Sequence, residues 1–182
     1  MRAELLGCGQ TAEGQLGTRI PDPSIIRVPD RIVTAPNDAD GTSVQSVACG
    51  ESHTLFLTSE GKIWSVGSNV DGQLGRGNRN DGSFSIYPVS LTIGVPIIQI
   101  SAGRAHSLAV AEDGRAFAWG SNEHGQLGME SQIQWRESPK RISELTEVVQ
   151  VAAGASHGIA LTGSRVFSSS FHVFHKKTPV SG

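Results

Sequence analysis

Two strings in this chain carry the residue types and spacing of known chemistry, and a recurring set of histidines invites a metal. Gly154-Ala155-Ser156-His157-Gly158 has the Gly-x-Ser-x-Gly spacing of a nucleophile elbow, where a strand-to-helix turn exposes a serine hydroxyl. Gly7-Cys8-Gly9-Gln10-Thr11-Ala12 has the relaxed spacing of a dinucleotide loop, whose glycines let main-chain N–H groups approach a pyrophosphate. His53, His106 and His157 each offer an imidazole to a zinc ion, and Glu60, Glu112 and Asp113 offer carboxylates for proton transfer.

Each chemistry needs a particular element to position it, and the surrounding sequence supplies a different one. The register of Ser156 recurs as Gly50-Glu51-Ser52-His53-Thr54 and Gly103-Arg104-Ala105-His106-Ser107. One copy has no serine, and an apolar strand-like run follows where an elbow requires a helix. Gly9 closes such a run and lacks the strand–helix–strand setting of a dinucleotide site. Zinc ligands must converge within a few ångströms, whereas equivalent histidines of successive repeats are displaced from one another. The expected role of these histidines is structural, a ring nitrogen bonding a neighbouring turn. The carboxylates fall in hairpin turns, where acidic residues are ordinary. The expectation is no catalytic centre, no bound cofactor and no metal site.

The elements themselves follow from an internal repeat. Gly-Gln-Leu-Gly stands at Gly14–Gly17, Gly72–Gly75 and Gly125–Gly128, and a fixed string recurring at this spacing marks a repeat architecture. Upstream lie Val-Ala-Cys-Gly, Ile-Ser-Ala-Gly and Val-Ala-Ala-Gly, each three residues before a histidine, followed by apolar runs at Thr54–Leu57, Ser107–Ala111 and Ile159–Leu161. Ser59-Glu60-Gly61-Lys62 and Glu112-Asp113-Gly114-Arg115 read as hairpin turns whose glycine supplies positive φ. Second apolar runs at Ile63–Val66 and Ala116–Trp119 end on Gly67 and Gly120. Pro29, Pro88 and Pro139 recur beyond the tetrapeptides, each followed three residues later by an apolar residue: Ile32, Leu91, Ile142. Four short strands in about fifty residues is the content of one propeller blade. The small residues Ala48, Cys49, Ser101, Ala102, Ala152 and Ala153 suit an innermost strand, where converging sheets leave little room. Leu16, Leu74 and Leu127 read as plugs beside the hairpins, and Trp64 and Trp119 as core.

The string Ala-Gly-x-x-His-x-Leu-Ala followed by Asp-Gly-Arg-x-Phe-Ala-Trp-Gly-Ser-Asn-Glu-His-Gly-Gln-Leu-Gly, over Ala102–Gly128, resembles the repeat of the regulator of chromosome condensation family. The resemblance covers about residues 5–162 and implies a seven-bladed β-propeller. The expected fold class is therefore all-β, a partial propeller of about three four-stranded blades. Units fall at about 1–46, 47–98 and 99–148, with a partial unit at 149–167 and a non-repeat tail at 168–182. The last hairpin is one residue short, Ser168-Ser169-Ser170 replaces the expected Trp-Gly ending, and no fourth tetrapeptide follows. The expectation is a truncated or partial form of a larger repeat protein; the alternative is a ring completed by another chain.

Composition narrows the function classes. The chain has 182 residues, formal net charge −2, 37% apolar and 18% charged residues, and 22 glycines, as many short strands with tight turns require. No basic footprint for nucleic acid is present, and no apolar stretch has the length of a signal peptide or membrane span. Cys8 and Cys49 occupy repeat positions held elsewhere by other residues, which fits reduced thiols in the cytoplasm or nucleus.

Residues copied into every unit build the unit, so activity belongs to what differs. The connections Thr18–Val44, Arg76–Pro96 and Met129–Val148 differ in length and chemistry. The second carries Arg76 and Arg79, the third Trp135 and Arg136. Loops on a rigid β scaffold carry binding, and tryptophan with arginine is interface chemistry. These four residues are the candidate partner-binding set of a non-enzymatic protein–protein interaction segment. The resemblance also implies two alternatives: guanine-nucleotide exchange on a small GTPase, and service as a repeat module of a ubiquitin ligase or adaptor.

Overall fold

Short segments of three to seven residues, punctuated by glycine turns, fold into thirteen strands with no helix among the described residues. The computed structural model describes residues 5–17, 25–32, 43–80, 83–91, 93–129, 132–163 and 166–168. The strands are β1 (Leu6–Gln10), β2 (Ile25–Arg31), β3 (Val44–Cys49), β4 (His53–Thr58), β5 (Ile63–Gly67), β6 (Ser83–Pro88) and β7 (Ile97–Ala102). They continue as β8 (His106–Ala111), β9 (Ala116–Ser121), β10 (Trp135–Arg141), β11 (Val148–Ala153), β12 (Gly158–Thr162) and β13 (Val166–Ser168).

They form antiparallel meanders. Two four-stranded sheets, β3-β4-β5-β6 and β7-β8-β9-β10, are complete blades; a two-stranded sheet β1-β2 precedes them and a three-stranded sheet β11-β12-β13 follows. The expected partial propeller is thus two whole blades between two incomplete ones. Ser168, assigned from sequence to the tail, pairs with Ile159 in the last sheet; residues 169–182 lie outside the described residues.

The core is a set of apolar slabs between sheets. Side chains alternate across a strand, so Leu55 and Leu57 of β4 face Ile97, Ile100, Phe117 and Trp119 of the next blade, whereas Phe56 joins Ile32, Val66 and Ile86 on the other side. Leu108 and Val110 of β8 repeat the scheme against Val148, Val151 and Ala160. Both faces of β4 and β8 are consequently buried along their whole length. Where the flanking sheet is incomplete the equivalent positions open. Val47 is 43% exposed where its counterparts Ile100 and Val151 are 6% and 4%, and Ile159 is 40% exposed where Leu108 is 3%.

The tetrapeptide is a knot of backbone bonds. Both of its glycines have positive φ (79° and 68° in the second copy), which only glycine adopts freely. Asn69 Oδ1 accepts the Leu74 N–H and Asn122 Oδ1 the Leu127 N–H, each at 3.1 Å. Leu74 and Leu127 are fully buried, while Leu16 and Trp64 are only half-buried beside the incomplete first sheet.

Polar bonds cross the seams at a repeated site. Thr54 Oγ1 donates to the Gln15 carbonyl at 2.7 Å, and Ser107 Oγ donates to the Gln73 carbonyl at 2.9 Å, which also accepts Trp119 Nε1 at 2.8 Å. Ser107 spends its one proton on Gln73, so it accepts from His53 Nε2 at 2.9 Å, which places the His53 proton on Nε2. The expected histidine bond therefore exists, but to a strand hydroxyl of the next blade and not to a turn. Pairing places Thr54, Ser107 and Gly158 at equivalent positions. Gly158 has no hydroxyl, so buried His106 lacks the strand-hydroxyl bond that His53 makes. Gly158→Ser should therefore stabilise the chain by about 1 kcal/mol, from one new buried bond and one fewer strand glycine. Urea unfolding measures it; a destabilised variant would mean that the seam has no room for the hydroxyl.

Candidate partner-recognition site

In an antiparallel meander the first and third turns leave a sheet from the same end. The turns Gly50–Ser52 and Gly103–Ala105 therefore lie on the same side of the propeller as residues 68–80, 122–129 and 132–134, and the hairpins at Gly61 and Gly114 lie on the other. The first side carries Arg79 and the start of β10 with Trp135, whereas the blade-to-blade links at 93–96 and 142–147 emerge on the other.

Two of the four candidate residues meet across a seam. The Arg79 guanidinium lies over the indole of Trp135 at 4.0 Å, and its Nε donates to the Val70 carbonyl at 2.6 Å. Arg79 comes from the connection of one blade and Trp135 opens the outer strand of the next. Gly77 N–H donates to the Glu137 carbonyl at 2.8 Å, fixing the connection to that strand. A side chain at Gly72 would stand 2.8 Å from the Arg136 carbonyl, so the tetrapeptide loop can pack this closely only without one. Trp135 is half-buried and Arg79 exposed.

The other two candidates are placed differently. Arg76 donates to the carbonyls of Ser65 at 2.5 Å and Ser85 at 3.4 Å and covers the Tyr87 ring at 4.9 Å. Burial draws its guanidinium down to about 10, with Tyr87 opposing. Arg76 thus clips β5 to β6 within one blade. Arg136 is half-buried, and its Nε has no hydrogen-bond partner.

Around the Arg79–Trp135 pair lie charges that the reading by connections passed over. Arg104 Nε pairs with Glu51 Oε2 at 3.0 Å across two blades, both side chains exposed. Asp71 is held above the usual carboxylate range, first by burial and then by Glu123, while Arg79 and Arg104 oppose the rise. These residues sit inside the repeated motifs, at the variable positions of Gly-x-x-His (Glu51, Arg104, Ala155) and of the stretch before Gly-Gln-Leu-Gly (Val70, Glu123). Comparing units position by position, and not only their connections, exposes them.

Neither tempting motif has the element its chemistry needs. The apolar run after Ser156 is β12, a strand, and Gly7–Gln10 lies in β1 with no helix following among the described residues. No cluster of three metal-ligand side chains occurs among the described residues. A shallow open depression lined by Asn122, Glu123, Gln132, Ile133 and Gln134 lies on the same side as the Arg79–Trp135 pair and brings together no nucleophile and base.

Stacked four-stranded meanders with shared seams define a β-propeller repeat protein. The model of the regulator of chromosome condensation (RCC1) repeat matches residues 3–57, 60–110 and 113–161, and the chain belongs to that family. It is 34% identical over 166 residues to the human probable E3 ubiquitin-protein ligase HERC6, covering 87% of this chain and 15% of that protein. It is also 34% identical over 175 residues to the human RCC1-like G exchanging factor-like protein, covering 95% of this chain and 36% of that one. Human WBSCR16 superposes with a TM-score of 0.78 at 25% identity over 90% of this chain and 42% of its own. The chain therefore spans well under half the length of these relatives.

Proposed function

We propose that this chain is a non-catalytic propeller segment that recognises a protein partner through the side bearing Arg79, Trp135, Arg104 and Glu51. One observation carries the reading: the repeated residues are consumed in bonds within and between blades, whereas Arg79 and Trp135, from variable connections of two blades, meet across a seam as a cation–π pair. An arginine over an indole offers a flat, amphipathic contact with a charged rim, the composition of interface anchors. We take residues 1–168 as the propeller module, acting in the nucleus or cytoplasm. No helix among the described residues is long and apolar enough to cross a membrane.

The test is site-specific photocrosslinking. A photoreactive residue at position 133 or 104 should capture partner protein in cells, and one at position 60 or 113, on the opposite side, should not. Trp135→Ala and Arg79→Ala should each weaken the captured complex about tenfold or more, as loss of a central anchor does. Adducts concentrated at the hairpin side would overturn the assignment. The name of the exchanging-factor relative supports a second reading, nucleotide exchange on a small GTPase. Faster release of fluorescent GDP from a GTPase panel, lost in Trp135→Ala, would establish it.

A further inference from the structure

The chain contains eight prolines, of which only Pro139 and Pro179 follow a serine or threonine. Only Ser138-Pro139-Lys140-Arg141 also sets a base three residues after the hydroxyl; Thr178-Pro179-Val180-Ser181 does not. Ser138 lies in β10, the outermost strand of its blade, so one backbone edge there faces no other strand of the sheet. Its pairing with β9 is also broken. Arg136 opposes Gly120 and Lys140 opposes Ala118, so four steps along β10 span two along β9 and residues 137–139 bow away from the sheet. Ser138, Lys140 and Arg141 are exposed.

A protein kinase reads extended backbone and needs a reachable hydroxyl. Proline after that hydroxyl has no N–H to satisfy, which suits a pocket offering no acceptor, and the following bases suit an acidic pocket. The geometry points to Ser138 as the phosphoacceptor of a proline-directed kinase, with the phosphate controlling the Arg79–Trp135 contact; the functional weight of that control rests on the recognition role given above. In the transfer, Ser138 Oγ forms a bond to the γ-phosphorus of ATP and the bridging β–γ P–O bond breaks. ADP leaves, and the hydroxyl proton passes to the kinase's carboxylate base.

The bulge is where added charge would be felt. Ser138 Oγ lies 3.5 Å from where a side chain at Gly77 would begin, and the adjacent Glu137 carbonyl accepts the Gly77 N–H. A phosphate of about −1.5 to −2 charge therefore enters beside the stretch Gly77-Asn78-Arg79. Arg79 is bonded there to a carbonyl and stacked on an aromatic face, both uncharged, and burial holds the Asp71 carboxyl near it above the usual carboxylate range. A phosphate accepts an arginine fork more strongly than that carbonyl or ring. Arg79 turns towards it and uncovers Trp135.

The test uses the full chain, ATP and a purified proline-directed serine/threonine kinase. Intact mass and fragment mapping should find phosphate on Ser138, absent from Ser138→Ala, and Pro139→Ala should slow incorporation about tenfold. Phosphate on Thr178 in place of Ser138, or incorporation unchanged in Ser138→Ala, overturns the acceptor assignment. Acrylamide quenching of Trp135, taken as the difference from Trp135→Phe, should rise about twofold on phosphorylation and stay unchanged in Arg79→Ala. Unchanged quenching in the phosphorylated wild type overturns the control of the contact. Neither readout involves a partner, so photocrosslinks on the wrong side would sink the recognition role while leaving these two results standing.

Discussion

Acidifying the protein from pH 7 to pH 4.5 should cost it several kcal/mol of stability, through two histidines. His53 and His106 are fully buried. Burial lowers His53 to about 3, helped by the nearby His106. Burial likewise lowers His106 to about 4; the main chain of His157 partly offsets the fall, and its ring adds to it. In the unfolded chain both titrate near 6.5. The unfolded state thus takes up protons first as pH falls, so the stability is complete above about pH 6.5 and is lost progressively towards the folded values. Each histidine contributes a slope of about 1.4 kcal/mol per pH unit in that window, and a marginally stable domain has only about 5–15 kcal/mol to lose. Urea unfolding between pH 7.5 and 4.5 measures the slope, with the double variant His53→Gln, His106→Gln flattening it. A wild-type loss under about 1 kcal/mol would show that protonated imidazoles are accommodated at the seams.

Leu74→Ala should remove roughly 2–5 kcal/mol, the cost of a cavity where no neighbour can collapse. Its side chain is completely buried. Its N–H and carbonyl are both engaged, by Asn69 Oδ1 and Ser65 Oγ, so the backbone cannot shift inward to fill the space. Trp135→Ala is the contrast. Half-buried and stacked on Arg79, it should cost about 1 kcal/mol in stability, the worth of an exposed cation–π pair plus some packing. Equal losses from the two would make Trp135 a core residue and remove the anchor of the recognition site. Chemical denaturation of both variants decides it.

Much of the fold was legible because blades are built from local rules. The hairpin glycines, the doubled glycines of the tetrapeptide and the period-two apolar runs each declare a strand or turn without reference to distant residues. Contacts between units were less legible. Nothing in Ser107 taken alone says that it will accept from His53 and donate to Gln73, because that geometry exists only once two sheets stack. The same holds for the site. Arg79 and Trp135 were singled out separately as members of variable connections, but their pairing depends on one blade's loop crossing onto the next blade's outer strand. It is Arg79, and not the sequence neighbour Arg136, that lies over the Trp135 ring, since neighbours along a strand point to opposite faces.

The family repeat and the blade are out of phase. The matched segment 60–110 contains β5 and β6, the outer half of one sheet, and β7 and β8, the inner half of the next. Each unit is laid like a brick across a joint. Duplicating or deleting one such unit changes the number of blades by one, yet every joint that remains is the same outer half facing the same inner half. A lineage can therefore lengthen or shorten its propeller in whole steps, with no intermediate that must invent a new interface.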